Sequence, residues 1–332
     1  MKLPICIVGC GNWAGEVMDE VHDMTDEFEF WFASRDLGKA KAYCNRYNGT
    51  GAFGSYEEAA TDSHIKAMYF LTPHDLHLDN ARLACSNGKH VLVEKPIART
   101  IQEAQKLASV AKDANVSLMI AENFRFLPTV SKAIQLIAQG IVGKLRSVEI
   151  EAKGPETAIE WRASRSRTGG GRFIDAGVHY IDILVRLGGF PDRLYATELL
   201  PKIQQIDGED GIAMIAHLPG DVTGTIVYSG STPTTNRVSR IEASGTEGVI
   251  SFEPFGTEVL IDTLDGQTSF PVESAHRGLR RMLQEFRSSI VEHRSPVMSA
   301  SEATKDLAVV LAAYESTRTR QTVDIVQPVI HR

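Results

Sequence analysis

At 332 residues the chain exceeds the usual size of a single core, so two domains are the first expectation. With 43% hydrophobic and 23% charged residues it has a globular composition, neither disordered nor fibrous. A formal charge of −7 with no block of Lys/Arg argues against a nucleic-acid partner, and no apolar stretch approaches the roughly 18 residues of a membrane span.

In chain order, Leu3-Pro4-Ile5-Cys6-Ile7-Val8 is an apolar run that follows a single Lys2 and leads straight into a glycine turn. With no small-residue cleavage site after it, it reads as a buried first strand rather than a signal segment. Phe28–Ala33, Ala67–Leu71, Val91–Val93 and Ser117–Ala121 are further strand candidates. Helical spacing over Gly38–Arg46, His77–Ser86 and Ile101–Ala114 falls between them, the pattern of a doubly wound parallel sheet. The texture changes near residue 122, which sets the expected boundary: a dinucleotide-binding domain over 1–122 and a second domain over 123–332. The second holds a helix at Val130–Ala138, a strand at Val148–Ala152 and a helix at Ile174–Leu187. Strands at Leu194–Leu199, Gly211–His217, Thr223–Tyr228, Ser239–Ala243 and Val249–Phe252 follow with short loops, which predicts an open, mostly antiparallel sheet in an α+β domain. Helices at Leu279–His293 and Glu302–Thr319 close the chain.

The four cysteines, Cys6, Cys10, Cys44 and Cys85, form no CxxC pair and suit reduced thiols in a cytoplasm. The ten histidines show no metal-ligand spacing, and no metal is expected.

Gly9-Cys10-Gly11-Asn12-Trp13-Ala14 joins a predicted strand to a predicted helix. Gly9 permits a tight turn, Gly11 lets a pyrophosphate approach the backbone, and Ala14 lets helix and strand pack closely. Flavin proteins and methyltransferases carry similar turns, and the same pattern can be a plain βα connection. The second strand ends in Ser34-Arg35-Asp36, where the adenosine ribose of a dinucleotide would lie. A guanidinium there can hold a 2′-phosphate, so NADP is expected over NAD; Asp36 can instead cap the next helix.

Thr72-Pro73-His74-Asp75-Leu76-His77 and Gly88-Lys89-His90-Val91-Leu92-Val93-Glu94-Lys95-Pro96 mark carboxyl ends of predicted parallel strands, where open α/β sheets bind ligands. Farther on, Asp175, His179 and Asp182 recur at helical spacing after Gly169-Gly170-Gly171. By pattern alone they form a solvated polar face, and the glycines form either a flexible connection or a loop close to a ligand.

These motifs, with the glycine turn, Phe286, Pro296 and Tyr314-Glu315-Ser316, resemble those of the Gfo/Idh/MocA oxidoreductases, the glucose–fructose oxidoreductase and inositol dehydrogenase relatives. The resemblance covers nearly the whole chain and implies a Rossmann domain followed by the open-sheet domain. It implies that Gly9, Gly11, Asn12, Trp13, Ala14, Ser34, Arg35, Thr72, Pro73, His77, Glu94 and Lys95 serve the cofactor. It also places Lys95 between nicotinamide and substrate, makes His179 the general acid/base, and has Asp175 orient it or bind a substrate hydroxyl. Asn123 falls at the domain junction, where relatives place residues against cofactor or substrate, and Trp161-Arg162 resembles a pair that approaches the cofactor in relatives. A structural role is the alternative for each, and Tyr180 is expected on another face from His179. The expected activity is hydride transfer between NADP or NAD and a secondary alcohol or ketone of a sugar, sugar derivative or inositol. A dinucleotide-sensing regulator without catalysis is the alternative, and a homo-oligomer through the exposed sheet face is expected.

Overall fold

The alternating apolar runs of the first third become a six-stranded parallel sheet. Its strands are β1 Leu3–Val8, β2 Phe28–Ala33, β3 Gly51–Phe53, β4 Ala67–Phe70, β5 His90–Glu94 and β6 Leu118–Ala121, in the order β3-β2-β1-β4-β5-β6. The order reverses at β1, the switch point at which such sheets bind ligands beyond their carboxyl ends. Ile5, Ile7, Phe32, Met68, Tyr69, Phe70 and Leu92 are fully buried. A sheet covered on both faces needs such near-continuous apolar strands. Between the strands lie α1 Asn12–Val21, α2 Leu37–Arg46, α3 Tyr56–Thr61, α4 His77–Ser86 and α5 Ile101–Asp113. Each of α2, α3 and α5 begins on a side-chain cap: Asp36, Ser55 and Thr100 respectively. By contrast, α1 begins at Gly11 with no side-chain cap and no acidic residue in its first turn.

The structure is a computed structural model describing residues 2–157, 160–274 and 276–329. Its first compact unit joins Met1–Glu122 to Leu279–Thr304, and its second joins Asn123–Gly278 to Lys305–Pro328. The late segment of the first unit contains α9 Leu279–Val291 and the start of α10 Ala300–Thr319. Glu20 on α1 caps α9, accepting from Leu279 N at 2.9 Å and Arg280 N at 3.4 Å. Met298 O accepts from Ile120 N at 3.0 Å, pairing a backbone group that the edge strand β6 would otherwise leave open.

The second unit is built on a nine-stranded sheet, β14-β13-β12-β11-β7-β10-β9-β8-β15. These strands are β7 Leu145–Lys153, β8 Arg193–Glu198, β9 Gly211–Leu218, β10 Val222–Ser229, β11 Val238–Gly245, β12 Val249–Phe252, β13 Glu258–Thr263, β14 Gly266–Pro271 and β15 Val323–Asp324. Among the described residues of this sheet only β7 and β10 pair in parallel, and the other ladders are antiparallel. The helices are α6 Pro128–Ala138, α7 Arg165–Thr168, α8 Val178–Gly188 and the remainder of α10. α8 packs on β7 and β10, and its buried stripe is Val178, Ile181, Leu184 and Leu187. No helix among the described residues is long and apolar enough to cross a membrane.

Candidate active site

In the first unit the candidate site grows from two loops at the carboxyl ends of β1 and β5. Gly9 has φ +99°, and a Cβ there would lie 2.8 Å from Leu71 O, so the turn itself requires glycine. Gly11 differs: its φ is −111°, and a Cβ would meet no protein atom within 4 Å. The open space beside Gly11 and the uncapped start of α1 fit a pyrophosphate, whose charge would be met by the helix amides. Ala14 is buried, which allows α1 to lie close against the sheet, and Asn12 is exposed at the first turn.

Trp13 links this turn to the second loop. Its indole Nε1 donates to Glu94 Oε1 at 2.8 Å, and the buried Tyr69 hydroxyl donates to the same oxygen at 2.6 Å. Glu94 is thus a fixed acceptor at the end of β5, and Lys95 follows it in a cis Lys95–Pro96 peptide. A neighbouring set holds the loop after β4. The Asn80 amide donates to Thr72 Oγ1 at 2.8 Å, while the buried His77 ring lies 3.1 Å from Thr72 O and 3.0 Å from Pro96 O. Pro73 introduces the short turn His74–Leu76. His77, buried between two carbonyls, ties the Thr72 loop to the Lys95-Pro96 loop.

At the end of β2, Ser34 is buried and its hydroxyl accepts from Asp36 N at 3.2 Å, while Arg35 is exposed. Asp36 turns to its own helix, accepting from Gly38 N at 2.8 Å and Lys39 N at 3.2 Å. Burial raises the Tyr56 pKa, and the Arg35 guanidinium hydrogen-bonded to that phenol counteracts the rise.

In the second unit, the segment from Phe173 does not form the regular helix with a solvated face expected for Asp175, His179 and Asp182. Residues Phe173–Gly177 form a π turn before α8, and both aspartates are buried. The wider turn changes the angular spacing between Asp175 and the residues after it. Asp182 Oδ1 instead takes Arg125 Nε at 3.0 Å. Asp175 Oδ2 pairs with Arg172 and, at 3.4 Å, with Arg162 Nε; Arg172 also pairs with Glu156, whose other oxygen takes Arg237 at 2.6 Å. Burial works against the Arg172 charge, but Tyr228, Asp175, Glu156 and Glu209 outweigh it and raise its pKa. Arg162 also stacks over Trp161, 4.6 Å from the ring centre.

The His179 ring is half-buried and stacks face to face on Phe124, with centroids 4.1 Å apart and planes at 7°. Phe255 meets the same Phe124 edge-on at 4.9 Å. Tyr180 also meets Phe124 edge-on, at 5.8 Å, and its hydroxyl lies 3.0 Å from Ser239 Oγ, so it shares an aromatic neighbour with His179. Asn123 is buried, its amide donating to Arg277 O at 2.6 Å.

The three glycines are set by a helix end and by close packing rather than forming a loose connector. Gly169 ends α7 at φ +89°, while a Cβ on Gly170 or Gly171 would collide with Tyr314 or Glu209. Sequence reasoning did not single out Glu156, Tyr69 or Glu209, because none stands in a recognisable spacing, nor Arg172, although its i,i+3 spacing to Asp175 is a signal that could have found it. Tyr314 stood out only as part of the family likeness.

Residues 3–122 match the model of an oxidoreductase family with an NAD-binding Rossmann fold, and 130–251 match the GFO/IDH/MocA C-terminal domain. Mouse trans-1,2-dihydrobenzene-1,2-diol dehydrogenase is 29% identical over 67% of this chain and 65% of that protein. A D-xylose 1-dehydrogenase (NADP(+)) of Haloferax volcanii is 28% identical over 88% of this chain and 90% of its own. Among solved structures, the aldose-aldose oxidoreductase of Caulobacter crescentus, complexed with glycerol, superposes with a TM-score of 0.87. It is 25% identical, covering 98% of this chain and 100% of the other.

Proposed function

Because the chain belongs to the Gfo/Idh/MocA oxidoreductase family, we propose that it is an NAD(P)-dependent dehydrogenase of a secondary alcohol on a polyhydroxylated ring. The substrate class is a sugar, sugar derivative, inositol or related cyclic diol. The observation that carries this reading is the tie between the glycine turn and the Glu94-Lys95 loop, Trp13 Nε1 to Glu94 Oε1 at 2.8 Å. It anchors the residue preceding Lys95 to the turn that fits a pyrophosphate. A bound nicotinamide supplies the carbon that accepts or returns hydride. Lys95 hydrogen-bonds the reacting oxygen, and His179 exchanges its proton. Asp175, with Oδ2 already taken by arginines, orients the imidazole or accepts from a neighbouring hydroxyl.

NADP is the preferred form in this reading. Arg35 is exposed at the end of β2, and Asp36 is engaged in capping α2. Ser34, Thr72, Pro73 and His77 shape the cofactor loops, and Asn123, Trp161 and Arg162 are retained as proposed cofactor contacts. The outer face of the second sheet supports a homo-oligomer: Tyr195 and Ile215 are directly paired across β8 and β9, and both are exposed. Light scattering on the purified protein measures that state. The four thiols are free and fit a cytoplasmic setting.

Absorbance at 340 nm with both cofactors and a panel of pentoses, hexoses, inositols and cyclic diols tests the reading. Turnover that Lys95→Ala abolishes while cofactor binding persists is the expected result. Cofactor binding without turnover across the panel overturns it in favour of a dinucleotide-sensing regulator. Binding of S-adenosylmethionine would instead point to a methyltransferase.

A further inference from the structure

Four consecutive amides lead into the Asp175 turn, and two residues distant in sequence accept all four hydrogen bonds. Gly171 N and Ile174 N donate to the Tyr314 hydroxyl oxygen at 3.1 and 3.0 Å. Arg172 N donates to Glu209 O at 2.8 Å, and Phe173 N to Glu209 Oε1 at 2.5 Å. The Tyr314 hydroxyl donates its own proton to Glu209 Oε1 at 3.2 Å, so the two side chains act as one unit. A helical run opens with four amides that lack intrahelical partners, and an ordinary cap satisfies one or two of them. Here four amides in a row, Gly171 to Ile174, are paired.

The local sequence is cut to fit this pair. A Cβ on Gly171 would lie 2.1 Å from Glu209 O, and one on Gly170 would lie 2.3 Å from the Tyr314 hydroxyl. Burying a carboxyl and a phenol costs free energy that an apolar pair would not. The cost is offset only because the polar atoms are matched to these amides. The turn so held is a π turn, a form that is rare and persists where its surroundings over-determine it. It carries Asp175, the arginine Arg172 that pairs with Asp175 is fixed through its own amide to Glu209, and α8 begins with Val178 and His179 directly after the turn.

We propose that Glu209 and Tyr314 are positioning residues that hold the 173–177 turn in its π form and thereby aim Asp175 and His179. The proposal rests on the reading that Asp175 and His179 serve the dehydrogenase reaction. Neither Glu209 nor Tyr314 needs to touch substrate or cofactor. Their effect is on the direction of two groups whose displacement by about 1 Å can cost about a hundredfold in rate.

The test compares the full-length protein with Tyr314→Phe, Glu209→Leu, the conservative Glu209→Gln, and His179→Ala as reference. Amide exchange by mass spectrometry over residues 170–178 needs no substrate. Tyr314→Phe and Glu209→Leu should speed it by about tenfold or more while peptides from β9 and β10 stay unchanged. In the same two variants kcat should fall by about tenfold or more with cofactor Kd within about twofold, and Glu209→Gln should restore most of both. If Tyr314→Phe does not fold, the two Glu209 variants carry the comparison. Unchanged exchange at 170–178 overturns the clamp. Faster exchange with kcat intact overturns the positioning role. Full kcat in His179→Ala, with exchange still responding to the clamp variants, overturns the reading of His179 while leaving the clamp as architecture.

Discussion

Single residues decide the chemistry through what already occupies them. Asp36 illustrates this: its carboxylate caps α2 through two amides, and Arg35 stands exposed beside it. Arg35→Ala should therefore move the NADP/NAD affinity ratio toward NAD by about tenfold, the scale of one charge-assisted contact. Titration of nicotinamide fluorescence with each cofactor measures it, and an unchanged ratio sinks the assignment. Glu209 makes a second prediction. Burial pushes its carboxyl up to about 7, although Phe173 N and the Tyr314 hydroxyl pull it down, and Glu198 adds to the rise. An acid whose pKa is raised on folding holds its proton more tightly in the folded chain. Its contribution is complete below the ordinary value of 4.5 and is lost as pH rises through about 7. Urea midpoints of the wild type should accordingly fall across that window, and Glu209→Gln should flatten the fall; parallel curves would refute the attribution.

At the scale of elements, the two glycines of the first turn separate fold from ligand. Gly9→Ala forces a Cβ against Leu71 O at a backbone angle that favours glycine, and should cost about 1–3 kcal/mol, read as a lowered Tm. Gly11→Ala meets nothing of the protein, so Tm should hold while cofactor affinity drops. Equal effects on Tm would show that the space beside Gly11 is structural. The helix bearing His179 shows the limit of periodicity. The apolar stripe at Val178, Ile181 and Leu184 places α8 on the sheet. Asp175 and Asp182, however, are not members of a wet face, because each is buried against an arginine: Arg172, three residues before it, pairs with Asp175, and Arg125, which no spacing rule connects to it, pairs with Asp182. The hairpin β13–β14 escaped notice for another reason. Its second strand is almost wholly exposed and carries no alternation, although Asp265-Gly266 at the turn is a hairpin signal.

For the whole molecule, the chain's course matters as much as its elements. The first unit is completed by α9, which arrives more than 150 residues after β6 and docks by the Glu20 cap and by Arg280 on Asp23. Glu20→Ala should lower stability by about 1 kcal/mol through the lost cap, measured by thermal melting, with no change in cofactor affinity. The sequence alone determined the parallel sheet, the glycine turn, the Glu94-Lys95 loop and most strands of the second sheet. Those features follow from local rules: unbroken apolar runs, turn residues and helical spacing. Tertiary structure alone decided that Trp13 and Tyr69 share Glu94, that α9 returns to the first unit, and that Glu209 and Tyr314 hold the Asp175 turn. Each of these joins residues far apart in the chain through hydrogen-bonded pairs that are buried or part-buried. Such a pair has no period and no adjacent partner, because it exists to satisfy hydrogen bonds only after the core has closed around it.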